Sequence, residues 1–297
     1  MEQTISVGAT KHMDLFKAKL GRRLKMYEGE GFKVELEERP AGDYTFLSCH
    51  MDGGVRCPGD ERIKSILKQI LAENISELIL NQWEDVLIKD IIRENYFYFG
   101  EEEKRLIFDY SLRHINCAET GFRNTLYWQS RKELIKNKIS DFLNYNNRII
   151  VDGFIRFRLQ EYLAELRDAI EKAVDDFLLE REYREFIHLL QYFVEVQEPR
   201  LEMLHLVISR EGFTLFDEKM QPVNGNYMEG FLLDMLENEL CYEDLLISAL
   251  ISIAPKKILV HHNGNNKHDM ILETIKCVFT GRVSECPGCS LCVKDPK

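Results

Sequence analysis

Lys257-Ile258-Leu259-Val260-His261, then Met270 to Phe279, then Gly281-Arg282-Val283-Ser284-Glu285 decide how the end of this chain folds. The first run is short and apolar and reads as a buried strand, the second as a helix, the third as a short final strand. Strand, helix and strand in so few residues predict a βαβ unit, with parallel strands and a right-handed crossover.

Working back from there, Tyr242 to Ile253 and Met228 to Leu236 read as helices. Leu204 to Ile208 and Phe213 to Phe216 flank Arg210-Glu211-Gly212, a β-hairpin signature. From about residue 60 to 198 the pattern is almost wholly helical. Ile63, Ile66, Leu67, Ile70 and Leu71 recur at three and four, and Leu78, Leu80, Trp83, Leu87 and Ile91 follow less regularly. Glu101 to Glu103 open a helix after Phe99-Gly100, where negative charge suits the dipole. Further helices are expected near 126–143, near 151–171 with a continuation to 179, and over Glu180 to Val196. At the other end Ile5 to Ala9 reads as a strand and Met13 to Tyr27 as a helix with Leu15, Leu20 and Leu24 near its period. Two more strands, Lys33 to Glu37 and Tyr44 to Cys49, flank the turn Pro40-Ala41-Gly42-Asp43. The expected fold class is α+β: a helical block over 59–200, flanked by small strand-containing segments at 1–58 and 201–297.

Composition narrows the function classes. Of 297 residues, 45% are hydrophobic and 30% charged, an ordinary globular balance. The net charge of −11 opposes the broad positive surface that nucleic acid or an anionic membrane needs. No apolar run of about 18 residues predicts a transmembrane span, and the N-terminus has no secretory pattern. Four of the eight cysteines, Cys49, Cys57, Cys117 and Cys241, are scattered singly, which points to free thiols in a reducing cytoplasm.

Cys286-Pro287-Gly288-Cys289-Ser290-Leu291-Cys292 is the sharpest chemical signal. Cysteines two residues apart let thiolates converge on one zinc ion or one iron–sulfur cluster, with the Pro-Gly step as a tight knuckle. Both usually want four ligands. In a βαβ unit the two strands end at the same sheet edge, so His261 and His262 leave the first strand where Cys286 leaves the second. Cys277 is nearer in sequence, but ten helical residues carry it about 15 Å toward the opposite edge. The metal candidates are therefore Cys286, Cys289 and Cys292 with His261 or His262. The turn His261 to Asn266 also resembles an anion-binding position, but no phosphate-loop fingerprint accompanies it.

Val151-Asp152-Gly153-Phe154-Ile155-Arg156-Phe157-Arg158-Leu159 and the stretch Val174 to Phe186 carry a resemblance, joined by Tyr192 to Arg200, by Ala254 to Ile258 and by the cysteine-rich tail. Together they resemble the YtxC-type sporulation proteins of endospore-forming Gram-positive bacteria. The resemblance spans the second half of the chain in detail and the first 140 residues only in layout. It implies a cytoplasmic, sporulation-associated protein and supplies no mechanism, cofactor or catalytic residue.

The remaining candidates have plainer readings. Arg156 and Arg158 sit among apolar residues, so at least one is expected to snorkel or to form a buried ion pair with the acidic run from Asp175 to Glu185. His188 and His205 lie in apolar surroundings and read as core or boundary residues. Tyr96, Phe97, Tyr98 and Phe99 lack interleaved cations and read as core or partner surface. The favoured function is a non-enzymatic interaction or regulatory protein with an unidentified protein partner and a metal- or cluster-binding tail. An enzyme centred on the His261 loop, or a redox-sensing thiol protein using Cys286, Cys289 and Cys292, remains an alternative.

Overall fold

The computed structural model describes residues 3–28, 33–52, 60–116, 125–209, 212–223, 242–262 and 269–292. Its elements are α and β in segregated stretches, so the chain is α+β as expected. It divides into two compact units, Met1–Leu178 and Leu179–Lys297, and the division falls inside one long helix.

In the first unit β1 (Gln3–Ala9), β2 (Lys33–Ala41), β3 (Tyr44–Asp52) and β4 (Arg148–Ile150) form a sheet of order β2-β3-β1-β4. Side chains alternate across a strand, so Ile5, Val7 and Ala9 face inward with Leu47, Cys49 and Met51 of the antiparallel neighbour. On the other face Phe46 lies so close to Gly8 that a Cβ there would collide with its ring. The β2–β3 turn is two residues long, and Gly42 takes φ +63°, a conformation glycine adopts freely. β4 is parallel to β1 and was not legible in the sequence, because three residues are too few to display a period.

Helix α1 (Met13–Glu28) buries Met13, Phe16, Leu20 and Leu24 at spacings of three, four and four. Leu15, expected on that face, is half exposed, since five residues from Leu20 puts it off the stripe. α2 (Asp60–Leu78) runs into a π-helical turn at Ile79–Trp83 and on into α3 (Glu84–Asn95). The inserted residue explains the irregular apolar spacing: the buried series Leu71, Ile75, Ile79, Trp83 steps by four and then reaches Ile88 by five. α4 (Glu101–Asn116), α5 (Thr125–Tyr145), α6 (Val151–Arg158) and α7 (Gln160–Val196) follow.

The chain kinks at Leu159, and α7 then continues unbroken for 37 residues, where two helices were expected. No proline or glycine lies between residues 160 and 196, so nothing in the backbone stops it. Arg156 and Arg158 are both exposed and neither forms a buried ion pair among the described residues; of the two alternatives expected, snorkelling is the one Arg158 fits, its guanidinium standing 5.9 Å over the Phe142 ring. Asp176 pairs with His114, Glu180 with Arg184 and Glu185 with Arg181, all on a solvated face.

Two polar networks cross the first unit's core. Glu84, 1% exposed, accepts hydrogen bonds from Arg131 at 2.6 Å and Tyr162 at 2.8 Å. Glu77 meets Lys19, Arg23 and Lys132. Burial opposes its ionisation, but the ammonium groups of Lys132 and Lys19 and the Arg23 guanidinium outweigh that and hold its pKa down to about 2.

The second unit has its own sheet, of order β6-β5-β7-β8, formed by β5 (Met203–Ser209), β6 (Gly212–Asp217), β7 (Lys257–His261) and β8 (Val283–Glu285). The strands of the two chain ends thus sit in separate sheets. β5 and β6 pair as the expected hairpin, although residues 210 and 211 of its turn lie outside the described set. β7 pairs parallel with β5 and with β8, and α9 (Asp269–Val278) connects β7 to β8. Leu204, Leu206, Ile258 and Val260 form the sheet's apolar face. Ile187, Leu190 and Val194 of α7, α8 (Tyr242–Ile253) and α9 supply the rest of this core. The helix read at Met228 to Leu236 falls outside the described residues.

Candidate metal centre

The edge where β7 and β8 end is where the chemistry collects. The Cys286 N–H donates to the Val260 carbonyl at 2.9 Å and continues the β7–β8 ladder, in which Val260 faces Glu285, by one residue. Cys286 therefore emerges beside His261. The Pro287-Gly288 step then reverses the chain, with Gly288 at φ +125°, a value L side chains rarely adopt. The Cys292 N–H donates to the Cys289 carbonyl at 3.0 Å and closes the knuckle.

The result is one tight cluster. His261 Nδ1 lies 3.3 Å from Cys289 Sγ and 3.6 Å from Cys292 Sγ, and those two sulfurs are 3.8 Å apart. With Cys286, one donor atom from each of four residues lies within 4.8 Å of every other, close enough to bind a metal ion. His261 is 3% exposed, whereas the three cysteines are half-buried.

Local electrostatics prepare the donors. Backbone N–H groups of Leu291 and Cys292 point at the Cys289 sulfur and lower its pKa, as hydrogen bonds to a thiolate should. At Cys286 the Gly288 N–H acts in the same direction, but desolvation and the neighbouring Cys289 and Cys292 thiols outweigh it and carry the pKa upward. Burial, and then the adjacent His205, lower the pKa of His261 and favour the neutral imidazole that a metal ligand must be.

His205 is the residue that sequence reasoning missed. Its Nδ1 lies 2.9 Å from His261 Nε2, and the two rings stack with centroids 5.2 Å apart. The parallel β5–β7 register pairs His205 with Leu259, two residues before His261 and hence on the same face. That register was the only available signal, since the sequence places His205 56 residues away. His188, read alongside it as core or boundary, is exposed and contacts Gln191 on its own helix.

The other candidates lie apart from the cluster. His262 faces Glu285 at 3.4 Å, and Lys276 meets the same carboxylate at 2.6 Å, holding the Glu285 pKa below its ordinary value. Neighbouring residues on an extended chain point to opposite faces, so only one of the two histidines joins the thiols. Cys277 is exposed near the end of α9, where its carbonyl accepts a hydrogen bond from Gln191. Cys49 is buried in the first unit, and desolvation pushes its thiol up to about 12. Residues 263–266 of the turn read as an anion-binding position, together with Cys57, Cys117 and Cys241, lie outside the described residues. Among the described residues, no helix is long and apolar enough to cross a membrane.

Known proteins place the chain more firmly than its chemistry does. It is similar to the uncharacterised protein YtxC of Bacillus subtilis (strain 168), 25% identical over 244 residues that cover 79% of this chain and 83% of that one. No solved structure matches it. Residues 69–284 match the YtxC-like family, from the second half of α2 through β7 to the last strand before the cysteine knuckle, and the chain belongs to that family.

Proposed function

We propose that Cys286, Cys289, Cys292 and His261 hold a single zinc ion as a structural clamp, in a cytoplasmic, sporulation-associated interaction protein that carries out no catalytic step of its own. The ligand spacing carries the metal reading. Zinc bonds of about 2.3 Å to sulfur and about 2.0–2.1 Å to nitrogen, set tetrahedrally, separate two sulfurs by about 3.8 Å and a sulfur from a nitrogen by about 3.6 Å. The observed separations are 3.8 Å between Cys289 and Cys292, and 3.3 and 3.6 Å from these sulfurs to His261. A [4Fe–4S] cluster takes one cysteine per iron and a [2Fe–2S] cluster two, so in either some ligands sit on different irons and stand farther apart than the 4.8 Å that spans this whole set, and one ion suits it better.

The donor count supports a structural role. Catalytic zinc keeps a position open for water or substrate, whereas four protein donors close the coordination shell. Zinc here would tie the ends of β7 and β8 to the knuckle that follows. A partner surface is supported by α7, where Leu179, Phe186, Leu189, Phe193 and Val196 are large apolar side chains that stand exposed at spacings of three, four and seven. The sporulation setting rests on the family resemblance alone.

Elemental analysis and absorption spectroscopy of anaerobically purified full-length protein test the metal. One zinc per chain, lost in Cys289→Ser, is the expected result. Iron with inorganic sulfide, or no metal together with unchanged behaviour of Cys289→Ser, would defeat the proposal.

A further inference from the structure

Within the first unit, α3 and α4 line an open cleft of about 320 Å³, at the lower end of the range of small-ligand pockets. Lys89, Ile92 and Arg93 reach it from α3, and Glu101, Lys104, Arg105 and Phe108 from α4. Ile92 is 2% exposed and Phe108 is half-buried, so the floor is apolar, and Lys89 Nζ lies 4.6 Å from the centre of the Phe108 ring.

The charges do not balance around that floor. Arg93 meets Asp90 at 2.7 Å and Lys104 meets Glu101 at 3.1 Å. No carboxylate of the described residues comes within 4 Å of Lys89 or Arg105 in an ion pair. Lys89 and Arg105 are thus two cations without a facing carboxylate beside one apolar floor, in a chain whose net charge is −11. Like charges held together over a surface of low polarity repel one another, and an anion set between them removes that cost. Inorganic phosphate would satisfy the charges and leave the Phe108 and Ile92 floor uncovered. A neutral aromatic would cover the floor and leave the cations unmet.

We propose that this cleft binds a small anion with an apolar body, an aromatic or similarly flat phosphate or carboxylate. Its anionic group would sit between Lys89 and Arg105, with its apolar part on Phe108. The site is independent of the metal centre and stands whether or not zinc is bound there.

Calorimetric titration of the full chain tests it, with 1-naphthyl phosphate as probe, 1-naphthol as its neutral counterpart and inorganic phosphate as the charge alone. The expected result is one 1-naphthyl phosphate per chain, bound at least about tenfold more tightly than either control, because charge-assisted contacts and ring burial each contribute on that scale. Lys89→Gln with Arg105→Gln should weaken it at least about tenfold and leave the thermal unfolding midpoint in place, since both side chains are exposed. Should the double variant unfold early, Arg105→Gln alone decides in the same titration. Equal binding of 1-naphthol and 1-naphthyl phosphate, affinity unchanged by the charge substitutions, or no binding of the probe would each overturn the proposal.

Discussion

His205 and His261 face each other across neighbouring parallel strands, with Nδ1 of the first 2.9 Å from Nε2 of the second and the rings nearly parallel at 24°. A proton on His261 Nε2 donated to His205 Nδ1 leaves His261 Nδ1 as a lone pair aimed at Cys289 and Cys292. Metal ligation through His261 Nδ1 would select that tautomer, with His205 as the acceptor.

His205→Ala should therefore weaken metal binding by about 10–100-fold, the usual cost of losing an outer partner of a ligating histidine. His205→Gln, which can still accept the hydrogen bond, should recover part of it. Competition against a chromophoric chelator reads both, and equal affinity in wild type and His205→Ala would show that the contact is incidental.

The two adjacent histidines should behave differently. His261→Ala removes a donor from the cluster and should abolish stoichiometric metal, whereas His262→Ala removes a contact to Glu285 outside the cluster and should retain it. Loss of metal in His262→Ala with retention in His261→Ala would reverse the ligand assignment.

Chelation should destabilise the second unit selectively. A closed four-ligand site contributes its binding energy to folding, so removing zinc should loosen the β7–β8 edge and raise amide exchange at Val260 and Cys286. Exchange within β1 and β3 of the first unit should not change. Uniform acceleration in both units would count against a local clamp.

Acid should expose the Glu77 network. The Glu77 carboxyl sits at about 2 in the folded chain against an ordinary 4.5. A depressed carboxylate contributes stability that is present above the unfolded value and lost as pH falls from about 4.5 through about 2. Glu77→Gln should be less stable at neutral pH and show a shallower decline across that window in urea-unfolding midpoints. An unchanged slope would mean that Lys19, Arg23 and Lys132 do not hold this charge.

Glu84 lies deeper and should matter more. Glu84→Ala strands the Arg131 guanidinium inside the core, and breaking a buried pair in this way costs about 3–5 kcal/mol. Combining it with Arg131→Met should recover much of that loss, because the uncompensated charge is gone. Equilibrium denaturation of the single and double variants measures the coupling.

Much of this fold could be read along the chain. The short apolar strand at Ile5 to Ala9, the hairpin strand at Leu204 to Ile208, the buried strand at Lys257 to His261 and the helix before Gly281 each form as read and bury apolar side chains. Local pattern reports the periodicity of one element and nothing about its neighbours. It therefore missed the π-helical turn at Ile79–Trp83, the three-residue β4 and the continuity of α7.

The metal candidates show the same division of labour. The spacing of Cys286, Cys289 and Cys292 announced convergent thiols, since two intervening residues suffice to fold three sulfurs toward one point. Parallel strand ends brought His261 or His262 into reach, because a βαβ crossover returns both strands to the same edge. Between those histidines the sequence has no preference. Strand pleat and burial set His261 against the sulfurs and turned His262 toward Glu285, and the β5–β7 register added His205 behind it. Spacing along the chain carries the chemistry of residues that are close in sequence. Contacts across 28 or 56 residues exist only once hydrogen-bonded strands fix which side chains share a face.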